Sequence, residues 1–194
     1  MKIVIIDYGA GNVFSVSTAI ERLGYKAVLS SDIDEILSAD KVIFPGVGQA
    51  SSALAELKNR GLDKVLPSLK VPVLGICLGM QMMCTYSEEG GGAEGLGIFP
   101  MTVRRFVGEE KIPHMGWNDI YDLRSPMMEG ISDSKVYFVH SYYVDVDERY
   151  TIARCDYMNE FSSAINKDNF YGVQFHPEKS AAVGEKMIKN FLEL

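Results

Sequence analysis

The sequence predicts an α/β fold, a mostly parallel central sheet flanked by helices, with additional antiparallel strands in the C-terminal half. In the first half, short apolar runs alternate with segments of helical spacing, which is typical of βαβ units. Beyond a Gly- and Glu-rich segment at residues 88–97, strand-like runs follow one another with turn residues between them. No repeat or linker divides the 194 residues, so we expect one domain over residues 1–194.

The first predicted strand and helix carry the clearest patterns. Lys2–Asp7 contains an uninterrupted apolar run, as expected for a strand of a parallel sheet covered on both faces. Asn12 can cap the helix that follows, and Gly24 can end it. The apolar residues of this helix recur at helical spacing: Val13, Val16, Ile20 and Leu23.

The rest of the first half continues the alternation. Further strands are predicted at Lys26–Leu29, Lys41–Phe44 and Pro72–Ile76. Helices are predicted at Ala50–Asn59, before Gly61, and at Leu78–Tyr86. The last of these helices would also carry Cys84.

The second half predicts strands and one closing helix. The strands are Ile98–Phe106, Val136–Val146, Tyr150–Cys155, Ser162–Asn166 and Phe170–Phe175. Asp168-Asn169 is expected to turn one hairpin. The closing helix is predicted near Ala182–Leu192, where the apolar residues recur at helical spacing.

Composition narrows the function classes. A net charge of −7 disfavours nucleic acid and anionic membranes as partners, because both select a basic face. Three cysteines cannot form a fully paired disulfide framework, and none has metal-ligand spacing, so neither a metal nor a cofactor is expected. Reduced thiols, an N-terminal apolar run too short for a signal peptide and the lack of a membrane-spanning run predict a cytoplasmic protein.

Cys77 stands at the centre of the most informative motif, Gly75-Ile76-Cys77-Leu78-Gly79. The motif has the form of a nucleophile elbow, in which flanking glycines relieve crowding at a tight strand-to-helix turn. A helix N-terminus there favours a thiolate, and the Leu78 N–H is free to bind an oxyanion. A buried structural cysteine in a glycine-rich turn remains the alternative.

His176-Pro177-Glu178 favours the catalytic interpretation. The residue before a proline is extended, and side chains two apart on an extended chain point the same way. Glu178 could then hold one imidazole nitrogen of His176 and leave the other for Cys77. The alternative is a surface histidine with a solvated glutamate. His114 and His140 lack a carboxylate at this spacing, so His176 is the better base.

A glycine-containing loop follows the strand ending at Phe44. Pro45-Gly46-Val47-Gly48 can turn a backbone N–H toward the end of a neighbouring strand. Gly46, Val47 and Gly48 are therefore candidate oxyanion donors beside Leu78. A plain strand-to-helix loop is the alternative.

Two further segments carry a family resemblance. GICLGMQ at Gly75–Gln81 and GVQFHPEKS at Gly172–Ser180 resemble the class I, triad-type glutamine amidotransferase family. The resemblance implies that Cys77 attacks the side-chain amide of glutamine and that His176 and Glu178 complete the triad. It also implies that Gln81 contacts the substrate and that the backbone around Ser141 and Tyr142 binds its amino-acid end.

Other segments resemble one branch of that family, the glutaminase subunits of imidazole glycerol phosphate synthases. They are DYGAGN at Asp7–Asn12, PGVG at Pro45–Gly48, PHMGWN at Pro113–Asn118 and YFVHSY at Tyr137–Tyr142. Gln49-Ala50 departs from the branch's pattern, in which a small residue precedes an aromatic one. The segments span most of the chain.

The branch implies a partner. Ammonia would pass to a (β/α)₈-barrel cyclase subunit, which makes imidazole glycerol phosphate and aminoimidazole carboxamide ribonucleotide in histidine biosynthesis. Asn12, Trp117 and Lys179 stand at positions that the family places near the interface with the cyclase. Their alternative roles are a helix cap, a core aromatic and a solvated lysine.

Three other functions stay open. The chain could serve a different amidotransferase, such as one for anthranilate, guanylate or pyridoxal phosphate, although PHMGWN and DYGAGN disfavour this. It could be a non-catalytic regulatory subunit, although nucleophile, base and orienting acid are all present. It could also be a free-standing γ-glutamyl peptidase, which would act without a partner.

Overall fold

The computed structural model describes residues 1–9, 11–131 and 135–194, and a seven-stranded sheet forms its centre. In chain order the strands are β1 (Ile3–Ile6), β2 (Ala27–Ser30), β3 (Lys41–Gly46), β4 (Val73–Cys77), β5 (Cys84–Ser87), β6 (Ala93–Glu94), β7 (Phe99–Arg105), β8 (His114–Asp119), β9 (Lys135–His140), β10 (Tyr142–Val144), β11 (Thr151–Tyr157), β12 (Asn159–Lys167) and β13 (Phe170–Val173). The helices are α1 (Val13–Arg22), α2 (Ile33–Leu37), α3 (Ala50–Asn59), α4 (Leu62–Ser68), α5 (Leu78–Met83) and α6 (Ala181–Leu192). Short 3-10 turns lie at Glu89–Gly91, Pro126–Met128 and Pro177–Lys179.

The central sheet has the strand order β11-β12-β13-β4-β3-β1-β2. Five neighbouring strands run parallel: β13, β4, β3, β1 and β2. At the other edge, β12 is antiparallel to β13 and β11 is antiparallel to β12. The predicted fold class, a mostly parallel sheet with antiparallel strands in the C-terminal half, is therefore confirmed. The predicted hairpin turn is confirmed too, since Lys167 pairs with Phe170 and Asp168 adopts a φ of 53°.

The parallel strands end together at one edge of the sheet. Gly46 at the end of β3 pairs with Cys77 at the end of β4. On the other side, Val173 at the end of β13 pairs with Ile76. The segments that leave these three strands therefore meet beside Cys77, which is where open α/β sheets place their ligand sites.

An apolar layer covers each face of the sheet, which explains the uninterrupted apolar run of β1. Val4 and Ile6 face a layer formed with α3, α4 and α5, whereas Ile3 and Ile5 face a layer formed with α1 and α6. All four side chains are buried. Alternate residues of a strand point to opposite faces, so a strand covered on both faces needs apolar residues at every position.

The helix after Cys77 is shorter than predicted. We expected a helix over Leu78–Tyr86 that carries Cys84, but α5 ends at Met83 and Cys84 begins β5. Residues at the end of the Gly- and Glu-rich segment and just beyond it bond carbonyl groups that a longer helix would need for itself. The Leu96 N–H donates to Met82 and the Ile98 N–H donates to Met83. The strand β5 then pairs with β7 in a second sheet, of order β10-β7-β5-β6.

The predicted strand Val136–Val146 is divided in two. Its first part, β9, pairs with β8, a strand that the sequence did not predict, and its second part, β10, pairs with β7. Ser141 lies at the break between the two pairings. At this break the chain passes close to Cys77, since Ser141 and Cys77 line the same cavity.

Two features that would point to other classes of protein are not found in residues 1–9, 11–131 and 135–194. None of the helices there is long and apolar enough to cross a bilayer. No group of three or more His, Cys, Asp or Glu side chains there has an arrangement that could hold a metal ion.

Candidate active site

Cys77 occupies a strained turn between β4 and α5. Its backbone adopts a φ of 54° and a ψ of −109°, which a residue with a side chain rarely does. A Cβ atom at Gly79 would lie 1.9 Å from the backbone oxygen of Phe44, so only glycine fits there. The elbow geometry predicted from the pentapeptide is therefore present.

His176 and Glu178 are in contact and buried. Nδ1 of His176 lies 2.8 Å from Oε1 of Glu178, and their side chains are 2% and 1% exposed. The surface interpretation of this pair is therefore wrong. The expected extended path is correct only for His176, which has a φ of −100°, because Pro177–Lys179 forms a 3-10 turn. The turn brings the carboxylate back onto the imidazole.

The remaining imidazole nitrogen of His176 is left for Cys77. Nε2 is buried and makes no hydrogen bond within the described residues, so it stays available to Cys77, which lines the same cavity. Burial by itself lowers the pKa of His176, but its interactions with Cys77 and Glu178 outweigh burial and raise the pKa to about 10. The site thus favours an imidazolium held between two acidic groups.

The other two histidines form a separate, neutral pair. Burial lowers the pKa of His140 to about 3 and that of His114 to about 4. Nδ1 of His140 lies 2.7 Å from the carbonyl oxygen of Tyr142, which can only accept, so this nitrogen carries the proton. Nε2 of His140 then accepts from Nδ1 of His114 at 3.0 Å. A neutral histidine with both ring nitrogens already hydrogen-bonded is a poorer candidate base than His176.

A cavity of about 330 Å³ opens beside Cys77. This volume falls within the range of small-molecule sites. Eight of the residues predicted from the sequence line it: Val47, Gly48, Cys77, Leu78, Gln81, Ser141, Tyr142 and His176. Gly46 lies at the end of β3, just before the lining residue Val47. Glu178 contacts the lining residue His176.

The PGVG loop is held close to the elbow. A Cβ atom at Gly46 would lie 2.6 Å from the backbone nitrogen of Gly79, so the two segments approach at a glycine–glycine contact. Gly48 has a φ of 95°, which favours glycine. The hydroxyl of Tyr8 donates to the carbonyl oxygen of Pro45 at 3.0 Å and anchors the start of the loop.

Sequence reasoning missed two polar residues at this site. Glu89 lines the cavity, and its carboxylate accepts from the backbone N–H of Ala50 at 2.6 Å. Glu89 lies in the Gly- and Glu-rich segment, where no local pattern marked it. Gln174 is fully buried beside Cys77, and its position two residues before His176 on an extended chain was the signal that could have found it.

The residues predicted at a partner interface have different environments. Asn12 caps α1, since its side chain accepts from the Ser15 N–H, so the helix-cap role is confirmed. Trp117 is 51% exposed, so the core alternative is wrong for it. The Trp117 ring meets the Tyr137 ring edge-on at 6.2 Å, and Nζ of the exposed Lys179 lies 6.0 Å from the centre of the same ring. Ala10, within the DYGAGN segment, lies outside the described residues.

Comparisons with known proteins identify the family of this chain. The family model for glutamine amidotransferase class-I matches residues 4–194. Imidazole glycerol phosphate synthase subunit HisH of Bacteroides fragilis is 55% identical, and that of Escherichia coli K12 is 46% identical. In both comparisons the alignment covers 100% of this chain and 100% of the relative.

Solved structures share the fold at much lower identity. A crystal structure of a glutamine amidotransferase has a TM-score of 0.78 at 17% identity, covering 98% of this chain and 97% of the other. A PurLQS structure of Thermotoga maritima has a TM-score of 0.72 at 16% identity, covering 99% and 97%. The family model and the full-length identities, taken with the elbow and the buried His–Glu pair, show that this chain belongs to the class I glutamine amidotransferase family, in the branch of the HisH subunits.

Proposed function

We propose that this chain is the glutaminase subunit of an imidazole glycerol phosphate synthase, acting in histidine biosynthesis in the cytoplasm. The full-length identity to subunits named for that synthase supports the assignment. The observation that carries the chemistry is the arrangement of Cys77, His176 and Glu178 beside one cavity, with the PGVG loop at its wall.

The first half of the reaction makes a thioester. Cys77 Sγ attacks the side-chain amide carbon of glutamine, and a C–S bond forms while the carbonyl oxygen takes up negative charge. Backbone N–H groups of Leu78 and of the Gly46–Gly48 loop hold that oxyanion. His176 gives a proton to the amide nitrogen, the C–N bond breaks and ammonia leaves.

The second half releases glutamate. Water attacks the thioester carbon, and Nε2 of His176 accepts a proton from it. The C–S bond breaks, and Cys77 returns to its starting state. Glu178 keeps the proton on Nδ1 of His176, so that Nε2 faces the reacting atoms throughout.

The cavity also has polar groups suited to the amino-acid end of glutamine. Both N–H groups of the Gln81 amide are used, one on the carbonyl oxygen of Tyr142 and one on Gln174, so its own oxygen is left as an acceptor. The carboxylate of Glu89 also lines the cavity. Both groups can accept from the substrate ammonium, next to the backbone at Ser141.

The partner is a (β/α)₈-barrel cyclase that consumes the ammonia. We place its docking surface at Asn12, Trp117 and Lys179. A half-exposed tryptophan beside an exposed lysine is a composition suited to an interface anchor. This surface is also close to the base, because the backbone N–H of His176 donates to the carbonyl oxygen of Tyr137, on which Trp117 packs.

Glutamate release from glutamine tests the proposal. Wild type and Cys77→Ala are compared, each alone and with the cyclase and its phosphoribulosyl-formimino ribonucleotide. We expect activity that requires Cys77 and rises when the cyclase and nucleotide are added. Activity that needs Cys77 but ignores the cyclase would assign the chain to another partner or to free-standing action. Activity that survives in Cys77→Ala would disprove the mechanism.

A further inference from the structure

Gln174 is a buried amide in contact with the sulfur of Cys77. Its side chain is fully buried, and its Nε2 lies 3.7 Å from Sγ of Cys77. Its Oε1 accepts from Nε2 of Gln81 at 2.8 Å. One amide thus connects the nucleophile with Gln81, a second residue that lines the substrate cavity.

The position of Gln174 follows from the register of the sheet. Val173 at the end of β13 pairs with Ile76, so the next residue of each strand, Gln174 and Cys77, emerges at the same edge. The backbone N–H of Gln174 donates to the carbonyl oxygen of Ser163 at 2.8 Å, which fixes the residue from its other side. His176 lies two residues further on in the same segment, and it lines the cavity together with Cys77.

The hydrogen bonds around Gln174 decide which end of its amide faces the sulfur. The carbonyl oxygen of Tyr142 can only accept, so the nitrogen of Gln81 must face it, at 3.0 Å. That same nitrogen of Gln81 lies against Gln174, which must therefore present its oxygen to Gln81. The nitrogen of Gln174 is left for Cys77. Because the Tyr142 carbonyl oxygen can only accept, it fixes which end of each amide is the nitrogen and which is the oxygen.

We propose that Gln174 is a catalytic residue, whose amide N–H donates a hydrogen bond to the Cys77 sulfur and stabilises its thiolate. The proposal rests on the proposed function only in taking this sulfur as the nucleophile. A donor at 3.7 Å stabilises a sulfur anion more than a neutral thiol, because hydrogen bonds to charged groups are the stronger ones. Because the same amide accepts from Gln81, substrate recognition and thiolate stabilisation share one network.

Other charged and titratable groups also face this sulfur, so the test must separate them from Gln174. His176 lies beside it, with Glu178 behind, on the segment after β13. Tyr8 interacts with it from the end of β1, and its pKa is raised mainly by burial and further by Cys77. His140 and Glu89 line the same cavity. None of these groups is altered by a substitution at Gln174.

The pH dependence of Cys77 alkylation by iodoacetamide measures the thiolate directly and needs no glutaminase activity. The variants are Gln174→Met, which keeps the length of the side chain without a donor, and Gln174→Glu, which places an acid beside the sulfur. Ser163→Ala is the matched control, because it removes a buried hydroxyl from the neighbouring strand and leaves the amide in place. Cys77→Ala gives the background from Cys84 and Cys155, which are both buried.

We expect Gln174→Met to move the midpoint of the alkylation profile upward by about one pH unit, as for the loss of one hydrogen bond to a charged group. Gln174→Glu should move it further, and Ser163→Ala should leave it within about 0.3 unit. In glutamate release, Gln174→Met should lower kcat more than it raises KM at neutral pH and recover toward wild type at higher pH. These shifts would support the proposal.

If folded Gln174→Met has the same alkylation profile as wild type, the proposed role of Gln174 is overturned. If that variant shows no cooperative thermal melt, Gln174→Glu decides by the same criterion, since it removes the N–H donor and keeps a polar group for Gln81. A shifted profile together with a wild type that releases no glutamate would refute the proposed function and leave the role of Gln174 standing. A wild type that hydrolyses glutamine while every variant profile stays unshifted would refute the role of Gln174 alone.

Discussion

Replacing the carboxylate of Glu178 by an amide isolates one contribution to the triad. Glu178→Gln keeps the size of the side chain and an oxygen that can accept from Nδ1 of His176, which lies 2.8 Å from the carboxylate. The imidazole therefore keeps its orientation and tautomer. What the substitution removes is the negative charge that favours the imidazolium.

The expected magnitude follows from that contact. A hydrogen bond to a charged group contributes about 1.5–3 kcal/mol and one between neutral groups about 0.5–1.5 kcal/mol, so the loss is about 1–2 kcal/mol. At about 1.36 kcal/mol for each factor of ten, kcat should fall about 5- to 30-fold. Glu178→Ala also frees the imidazole, so its loss should exceed about 100-fold.

The stability of the variant should depend on pH with a definite sign. The pKa of His176 is raised from 6.5 in a free side chain to about 10 in the fold. Because the fold binds the proton of His176 more tightly than the unfolded chain does, protonated His176 stabilises the folded state. This contribution is complete below about pH 6.5 and is lost as the pH rises through about 10. Glu178→Gln should therefore melt about 2–8 °C below wild type at about pH 6.5, and the gap should close toward about pH 10.

Thermal melts at about pH 6.5, 8 and 10, with glutamate release in the presence of the cyclase, measure both effects. Glu193→Gln is the matched control, because Glu193 makes an exposed pair with Lys189 at 3.7 Å and has no contact with the site. Its activity should equal that of wild type, and its melting temperature should change little. Unchanged kcat in Glu178→Gln, or a melting gap that is the same at every pH, would refute the reasoning.

Three other substitutions test the elbow, the support of the base and the interface. Gly79→Ala would place a Cβ atom 1.9 Å from the backbone oxygen of Phe44, so we expect a loss of more than about 3 kcal/mol in urea unfolding; a wild-type midpoint would contradict the close approach. Ser180→Ala removes a buried hydroxyl that donates to the carbonyl oxygen of His176 at 2.7 Å. We therefore expect thermal melts to show a loss of about 1–3 kcal/mol in the free energy of unfolding, and we expect kcat to fall. Unchanged values for both would show that Ser180 does not support the base. Trp117→Ala should leave the melting temperature within about 2 °C, because the ring is half-exposed, yet weaken binding of the cyclase in calorimetry about tenfold or more; equal affinity would remove Trp117 from the proposed interface.

The fold could be predicted from the sequence where a local pattern has one physical meaning. The apolar run of β1 predicted a strand covered on both faces, and α3 has the predicted bounds Ala50–Asn59. Prediction failed where distant segments compete for the same backbone groups. The helix after Cys77 ends early because residues 96–98 take its last carbonyl groups, and no helical periodicity in Leu78–Tyr86 encodes that.

The candidate site shows the same difference between features set by local sequence and features set by distant contacts. Cys77, His176 and Glu178 could be proposed from the sequence because each lies in a short motif whose backbone geometry is local: a glycine-flanked elbow and a residue before proline. The path between His176 and Glu178 was still wrong in detail, because a 3-10 turn replaces the expected extended chain. The predicted contact between His176 and Glu178 is still made, because the 3-10 turn also brings the Glu178 carboxylate next to the imidazole of His176.

The sequence by itself determined the alternation of strands and helices, the elbow at Cys77 and the pairing of His176 with Glu178, since neighbouring residues set the backbone conformation at each place. Only the tertiary structure decided that Gln174 touches the sulfur, that Glu89 reaches the cavity and that β9 and β10 belong to different sheets. These features depend on contacts between segments far apart in the chain, and the register of one strand against another is set by the packing of the whole fold.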